Sequence, residues 1–294
     1  MDFPQVSVIV PTFRDSDYLK LCLQALDDQT YPKENYEVIV VNNCVEDNIE
    51  PLVKRFKQAH LQLEKIPGSY AARNKGLAVA KGDVIAFTDA DCIPLPNWLE
   101  NGVKRLTETE NCGLVAGNIR VFLQNPASPK ACEFYDRLFG FPQKTFLEND
   151  HYGATANVFT YKTVFERVGR FATHMKSGGD FEWGQRVFKA NYSMIYAEDV
   201  CINHPARNSL FELRKKIKRI VDGHYTLMRK NLFSKARFFG GFLADLILPF
   251  RSVPRILADP EIRAKGKILQ VIGISILLRY IKFYERIVRL QVGG

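Results

Sequence analysis

The sequence predicts an α/β fold, a mostly parallel sheet flanked by helices, followed by an α-helical extension. Three observations carry the prediction. Short β-branched runs alternate with stretches of helical spacing through the first half. Of 294 residues, 46% are hydrophobic, enough to bury a large core. The charge also changes abruptly near residue 207. Residues 1–207 hold 23 Lys+Arg against 26 Asp+Glu, whereas residues 208–294 hold 18 against 6, a local +12 within a total of +9.

In chain order, strands are expected at residues 6–10, 37–41, 61–66 and 84–88. Helices are expected between them at about 18–28, 47–58 and 69–80, the first with Leu19, Cys22, Leu23 and Leu26 on one helical face. A strand at 113–121, a helix near 130–139, an extended segment at 153–162, short helices at 162–168 and from Asp180, and a strand near 193–196 complete a domain that closes at His204-Pro205. This divides the chain into a compact domain, 1–207, with a first half of about 1–112 and a second of about 113–207, and an extension, 208–294. The start "MDFPQVSVIVPTF" has no basic segment before its apolar run, so no signal peptide is expected and cytosolic residence is. Six scattered cysteines with no C-x-x-C pair read as reduced thiols.

In such sheets ligands gather beyond the carboxyl ends of the strands. Those positions read Pro11-Thr12, Asn42-Asn43, Pro67-Gly68 and Asp89-Ala90-Asp91. No G-x-G-x-x-G or P-loop follows the first strand, which removes the usual backbone phosphate cradles, so something else must neutralise phosphate if a nucleotide binds. The same absence argues against a nucleotidyltransferase. Asp89 and Asp91 supply two carboxylates in one loop, suited to a hard divalent cation, Mn2+ or Mg2+, although Asp is also a common turn residue. Arg73 has the permanently charged fork that grips phosphate oxygens; the other reading is a solvated helix-face arginine.

The set "VSVIVPTFRD", "EVIVVNNCVED", "GSYAARNKGLAVAKGDVIAFTDADC" and "GGDFEWGQRV", in this order, resembles glycosyltransferase family 2, inverting nucleotide-sugar enzymes of the GT-A fold. The resemblance spans residues 5–207. It implies that Pro11, Thr12, Asn42 and Asn43 border the nucleoside, with Gly68 and Ala90 beside them, and that Arg73 and Asn74 hold base or diphosphate. It further implies Asp91 as metal ligand, Asp89 by the ribose or the metal, and His204 as a third metal contact or a structural histidine. Asp180 matches the family's catalytic base, a role compatible with helix capping. Gly153, Gly179, Glu182 and Trp183 fall on the acceptor side, with Trp183 equally suited to the core; His151 is a further, weaker neighbour of that loop. The family commonly has Asp where this chain has Asn42 or Asn43, which leaves the donor base open, with a UDP-sugar favoured.

The tail reads as basic amphipathic helix from Leu210, with apolar runs at 238–250 and 268–278, each shorter than the ~20 residues that span a bilayer. It predicts peripheral or monotopic attachment to anionic lipid on the cytosolic face of a membrane, and hence a lipid-linked or membrane-proximal glycan acceptor. A helical oligomerisation surface is the other reading; nucleic acid is disfavoured because no binding motif accompanies the charge. The functional alternative to an enzyme is a silent nucleotide-sugar-binding subunit of a glycan assembly complex.

Overall fold

A computed structural model describes residues 3–229, 235–236, 238–241, 245 and 251–292. Most of the expected apolar run at 238–250 therefore lies outside the described residues. The chain divides into two compact units: residues 1–120, 142–174 and 179–204, and residues 121–141, 175–178 and 205–294.

The first unit is built on the sheet. Its strands are β1 (Val6–Thr12), β2 (Tyr36–Asn42), β3 (Ala59–Leu63), β4 (Val84–Thr88), β5 (Ile93–Pro94), β6 (Cys112–Phe122), β7 (Asn157–Tyr161) and β8 (Ser193–Pro205), in the order β3-β2-β1-β4-β7-β6-β8-β5. The β3-β2-β1-β4 half is parallel, while β7 pairs antiparallel to both β4 and β6, and β5 antiparallel to β8. The inner parallel strands β2, β1 and β4 are buried on both faces, Val8, Ile9, Val10, Val40 and Ile85 being at most 1% exposed, and so read as unbroken apolar runs, whereas the edge strand β3 is partly exposed. Helices α1 (Ser16–Asp27), α2 (Glu50–Val53), α3 (Ser69–Val79), α4 (Trp98–Glu108), α5 (Ala131–Phe139), α6 (Gln143–Asp150), α7 (Lys162–Val168) and α8 (Gly179–Lys189) fill the connections, α5 belonging to the second unit. The expected helix at 47–58 shrinks to the single turn of α2, which starts beside Pro51.

Asn157, fully buried, ties three strands together. Its amide nitrogen donates to Asn118 O at 2.8 Å and Val200 O at 2.9 Å, and its carbonyl accepts from Trp98 Nε1 at 2.9 Å. Such a satisfied network fixes the register of β6, β7 and β8.

The second unit is helical: α5, α9 (Leu210–Met228), α10 (Val253–Ala258), α11 (Pro260–Ala264) and α12 (Ile268–Val292). Leu123, Phe134, Ile256, Ile262 and Val271 form one core cluster, and Cys132, Leu213 and Leu278 another. Asp136, 1% exposed, sits among them between Arg207 (2.9 Å) and Lys216 (3.1 Å). Burial would raise its pKa, but these two cations outweigh it and hold the carboxyl below its ordinary value. Among the described residues no helix is long and apolar enough to cross a membrane.

Candidate active site

The donor edge is where β1 and β2 end side by side. Thr12 pairs with Asn42, and the Asn43 N–H donates to Thr12 O at 2.9 Å. Pro11, half-buried, lies opposite Val41. The Asn42 carbonyl accepts from the Cys44 N–H (2.9 Å) and its amide donates to Asp47 O (2.7 Å). Asn43 donates to Glu64 O and Ile66 O, each at 2.8 Å, and accepts from the Gly68 N–H at 2.7 Å. Both amides therefore brace the strand-end loops. Gly68 is needed for its backbone, at φ +123°, since a Cβ there would point into open space and meet no neighbour.

Beside these turns a cavity of about 230 Å³ is lined by Arg14, Ser16, Cys44, Glu46 and Asp47. Phe13 is 55% exposed, with the Arg14 guanidinium 5.4 Å from its ring centroid. Sequence reasoning passed over all of these except as neighbours of the motif. The available signal was an aromatic–cation pair directly after the first strand.

Arg73, on α3, is 3% exposed and ion-paired through Nη2 with Asp89 Oδ1; its Nε is buried without a partner. It is not a solvated surface arginine. Asn74 clamps the chain at Phe171, donating to its carbonyl (2.8 Å) and accepting from its N–H (3.1 Å).

Asp89 pairs with Arg73, while Asp91 faces His204. Antiparallel pairing of Ile93 with Asn203 carries the end of β8 to the aspartate loop and brings His204 Nε2 within 3.3 Å of Asp91 Oδ2. The His204 side chain is 4% exposed and that of Asp91 36%. Ala90 between the aspartates is buried. A carboxylate oxygen and an imidazole nitrogen converging on one point suit Mn2+, or Mg2+ with more reliance on oxygen. Among the described residues no group of three or more His, Cys, Asp and Glu gathers. Asp91 and His204 would supply two ligands to such an ion, with phosphate and water the rest.

Asp180 lies in the first turn of α8, half-buried. Its Oδ1 accepts from the Phe181 N–H at 2.9 Å and the Tyr70 hydroxyl at 3.2 Å. Burial raises its pKa, opposed by the Phe181 N–H, the Arg73 charge and the Tyr70 hydrogen bond. Gly179 makes room for Tyr70, since a Cβ there would stand 2.8 Å from the ring. Tyr70, which the sequence reading did not single out, therefore links the α3 arginine to the carboxylate.

The other acceptor-side expectations resolve into packing. Trp183 is 1% exposed and stacks on Phe165 with centroids 4.5 Å apart. Glu182 pairs with Arg186 at 3.0 Å, and Arg186 donates to the carbonyls of Gly169 and Arg170. Gly153 fits where a Cβ would meet Ala116 and Val158 side chains at 3.0 Å. His151, left-handed at φ 48°, caps α6 and stacks on Phe188 at 3.8 Å.

Residues 7–173 match the model of the family described as Glycosyl transferase family 2. Over 280 residues the chain is 35% identical to glycosyltransferase AglE of Haloferax volcanii, covering 94% of this chain and 91% of that protein. It is 24% identical over 260 residues to a dolichyl N-acetyl-α-D-glucosaminyl phosphate 3-β-D-2,3-diacetamido-2,3-dideoxy-β-D-glucuronosyltransferase of Methanococcus voltae, with 82% and 80% covered. The fold is similar to that of the mannosyltransferase PcManGT from Pyrobaculum calidifontis in complex with GDP-Man and Mn2+, with TM-score 0.70, 20% identity, and 98% and 87% covered. It is also similar to S. aureus TarS 1–349 in complex with UDP, with TM-score 0.56, 16% identity, and 99% and 92% covered.

Proposed function

Because the chain belongs to glycosyltransferase family 2, and is a glycosyltransferase, we propose that it is an inverting, divalent-cation-dependent enzyme moving a sugar from a UDP-sugar to a hydroxyl of a lipid-linked glycan. The observation that carries this reading is the Tyr70–Asp180 contact, which sets a carboxylate of raised pKa beside the Arg73–Asp89 pair.

In this mechanism Asp180 accepts the proton of the acceptor hydroxyl as that oxygen bonds to the anomeric carbon, and the bond from this carbon to the diphosphate breaks on the opposite side. The diphosphate leaves with the electron pair. Arg73 donates from its guanidinium to a phosphate oxygen. Asp91 and His204 would hold the Mn2+ or Mg2+, which neutralises charge on the departing diphosphate. The base enters the cavity next to Phe13. There Glu46 or Asp47 accepts the uracil imide N–H in place of the engaged Asn42 and Asn43, and Arg14 donates to a base carbonyl. GDP-Man in one structural neighbour and UDP in another leave guanine as the competing base.

The acceptor class is supported by the dolichyl-linked substrate in the Methanococcus relative's name. Attachment to the cytosolic leaflet is supported by the second unit, where Phe211, Leu269, Tyr280 and Tyr284 are 47–83% exposed on a strongly basic segment. A panel of UDP- and GDP-sugars, assayed for cleavage with Mn2+, Mg2+ or EDTA, tests the donor. Cleavage of a UDP-sugar that EDTA abolishes is expected; absence of binding and cleavage with every donor contradicts the reading.

A further inference from the structure

Two motif residues that the proposed mechanism leaves unused, Asn74 and Glu182, meet on one short segment, residues 168–171. Arg186 of α8, held by Glu182 at 3.0 Å, donates through Nη1 to the carbonyls of Val168 and Gly169, the latter at 2.9 Å, and through Nη2 to that of Arg170 at 2.7 Å. Asn74 of α3 grips the next residue, Phe171, by its carbonyl and its N–H. Four consecutive carbonyls are thus committed, three to α8 and one to α3. Gly169 makes room for this: at φ +83° it suits glycine alone, and a Cβ on it would stand 3.1 Å from Arg186 Nη1. A guanidinium fits the task because its planar fork serves several acceptors at once, where an ammonium is a point donor.

The same segment touches both helices through a ring. Phe171, 3% exposed, packs on Tyr70 of α3 with centroids 5.6 Å apart and on Trp183 of α8 at 5.5 Å. Tyr70 in turn meets Asp180 twice, its hydroxyl donating to Oδ1 at 3.2 Å and accepting from the Asp180 N–H at 3.3 Å. Tyr70, Arg73 and Asn74 stand at i, i+3 and i+4 and so share one face of α3. The helix that grips the segment is therefore also the one that aims Arg73 at Asp89. In so closely packed a cluster, residues 168–171 cannot shift without moving the rings on either side.

We infer that Arg186 and Asn74 are positioning residues: by fixing residues 168–171 between α3 and α8, they set the placement of the Asp180 carboxylate relative to the Arg73–Asp89 pair. In the transfer the attacking oxygen lies at the first of these places and the departing diphosphate at the second, so their spacing governs the alignment of the step. This rests on the reading of Asp180 as the base. Neither positioning residue is a donor ligand, and Glu182 acts by holding the Arg186 fork in place.

The test compares wild type with Arg186→Lys, Asn74→Ala, the double variant, Asp180→Asn, and Arg105→Lys, which alters the exposed Arg105–Asp199 pair. Two readouts are taken: kcat and KM for whichever of UDP-glucose, UDP-N-acetylglucosamine, UDP-glucuronate and GDP-mannose the wild type cleaves, and hydrogen–deuterium exchange of peptides covering 165–174. Arg186→Lys and Asn74→Ala are each expected to lower kcat by about ten- to a hundredfold with donor KM within about twofold. The double variant should lie within about twofold of the slower single one, because both act on the same segment. Arg105→Lys matches wild type. Exchange of the Phe171 N–H should quicken in Arg186→Lys, although that side chain does not bond it, and exchange of the Gly169 N–H in Asn74→Ala; if Arg186→Lys does not fold, Asn74→Ala decides by the same criteria. Unchanged exchange overturns the strut whether or not any donor is cleaved. Faster exchange with unchanged kcat, a donor KM that rises as far as kcat falls, or effects that multiply in the double variant overturn the positioning role. A wild type that cleaves no donor, or an Asp180→Asn that turns over like wild type, sinks the base reading instead, and exchange alone then decides the strut.

Discussion

His204 Nε2 stands 3.3 Å from Asp91 Oδ2, a contact made between the end of β8 and the loop after β4. It gives the metal expectation a geometry that Asp89, held by Arg73, does not share. His204→Ala should raise the Mn2+ concentration for half-maximal donor cleavage by about 10- to 100-fold, and Asp91→Ala should abolish metal-dependent cleavage. A Mn2+ titration of each variant checks this; equal sensitivity of Asp89→Ala and Asp91→Ala in that titration would count against the assignment.

Asn43 joins three backbone groups of the single loop between β3 and α3. Asn43→Asp would set a carboxylate against the carbonyls of Glu64 and Ile66, removing two donors and adding repulsion. We expect a loss of about 2–3 kcal/mol in unfolding free energy, read by urea denaturation. If the aspartate variant is instead as stable as wild type and binds UDP more tightly, the residue reads the base after all.

How far the sequence foretold this site depended on whether a residue acts locally or across the chain. The strand ends at Thr12, Asn42 and Thr88 were legible because buried parallel strands are apolar runs that stop where the ligand edge begins. Asp91 and Asp180 stand out in the sequence by motif. Tyr70 does not, because its role exists only through Gly179, distant in sequence, and a tyrosine in a helix carries no sign of what it faces. Asn74 and Trp183 sit inside the same motifs, yet one braces Phe171 and the other fills the core. Residue type and spacing do not separate a group that meets ligand from one that supports its neighbour. The α6 helix was missed because only Phe146 and Leu147 in it are apolar, whereas α4 was legible in Trp98, Leu99, Val103 and Leu106 at helical spacing and was passed over.

The Tyr70 hydroxyl favours the charged form of Asp180, opposing the burial that raises its pKa. Tyr70→Phe removes that hydrogen bond, so the pKa moves further up. Since the base works deprotonated, the acidic limb of the kcat profile should move to higher pH by about one unit. A limb that stays in place, or moves down, contradicts the assignment.

In the helical unit, Asp136 is buried between Arg207 and Lys216, and burial lowers the Lys216 pKa to about 8. Asp136→Asn leaves both cations short of their counter-charge. The expected loss is about 3–5 kcal/mol in unfolding free energy, measured by chemical denaturation at neutral pH. A loss below about 1 kcal/mol would show that the cluster does not hold this unit together.

The most direct test of the central claim is donor affinity and turnover of Asp180→Asn measured side by side. The account predicts a kcat lower by about 10²- to 10⁴-fold with the nucleotide-sugar dissociation constant unchanged, because the amide keeps the shape of the carboxylate but takes up no proton. A variant that turns over like wild type would contradict it.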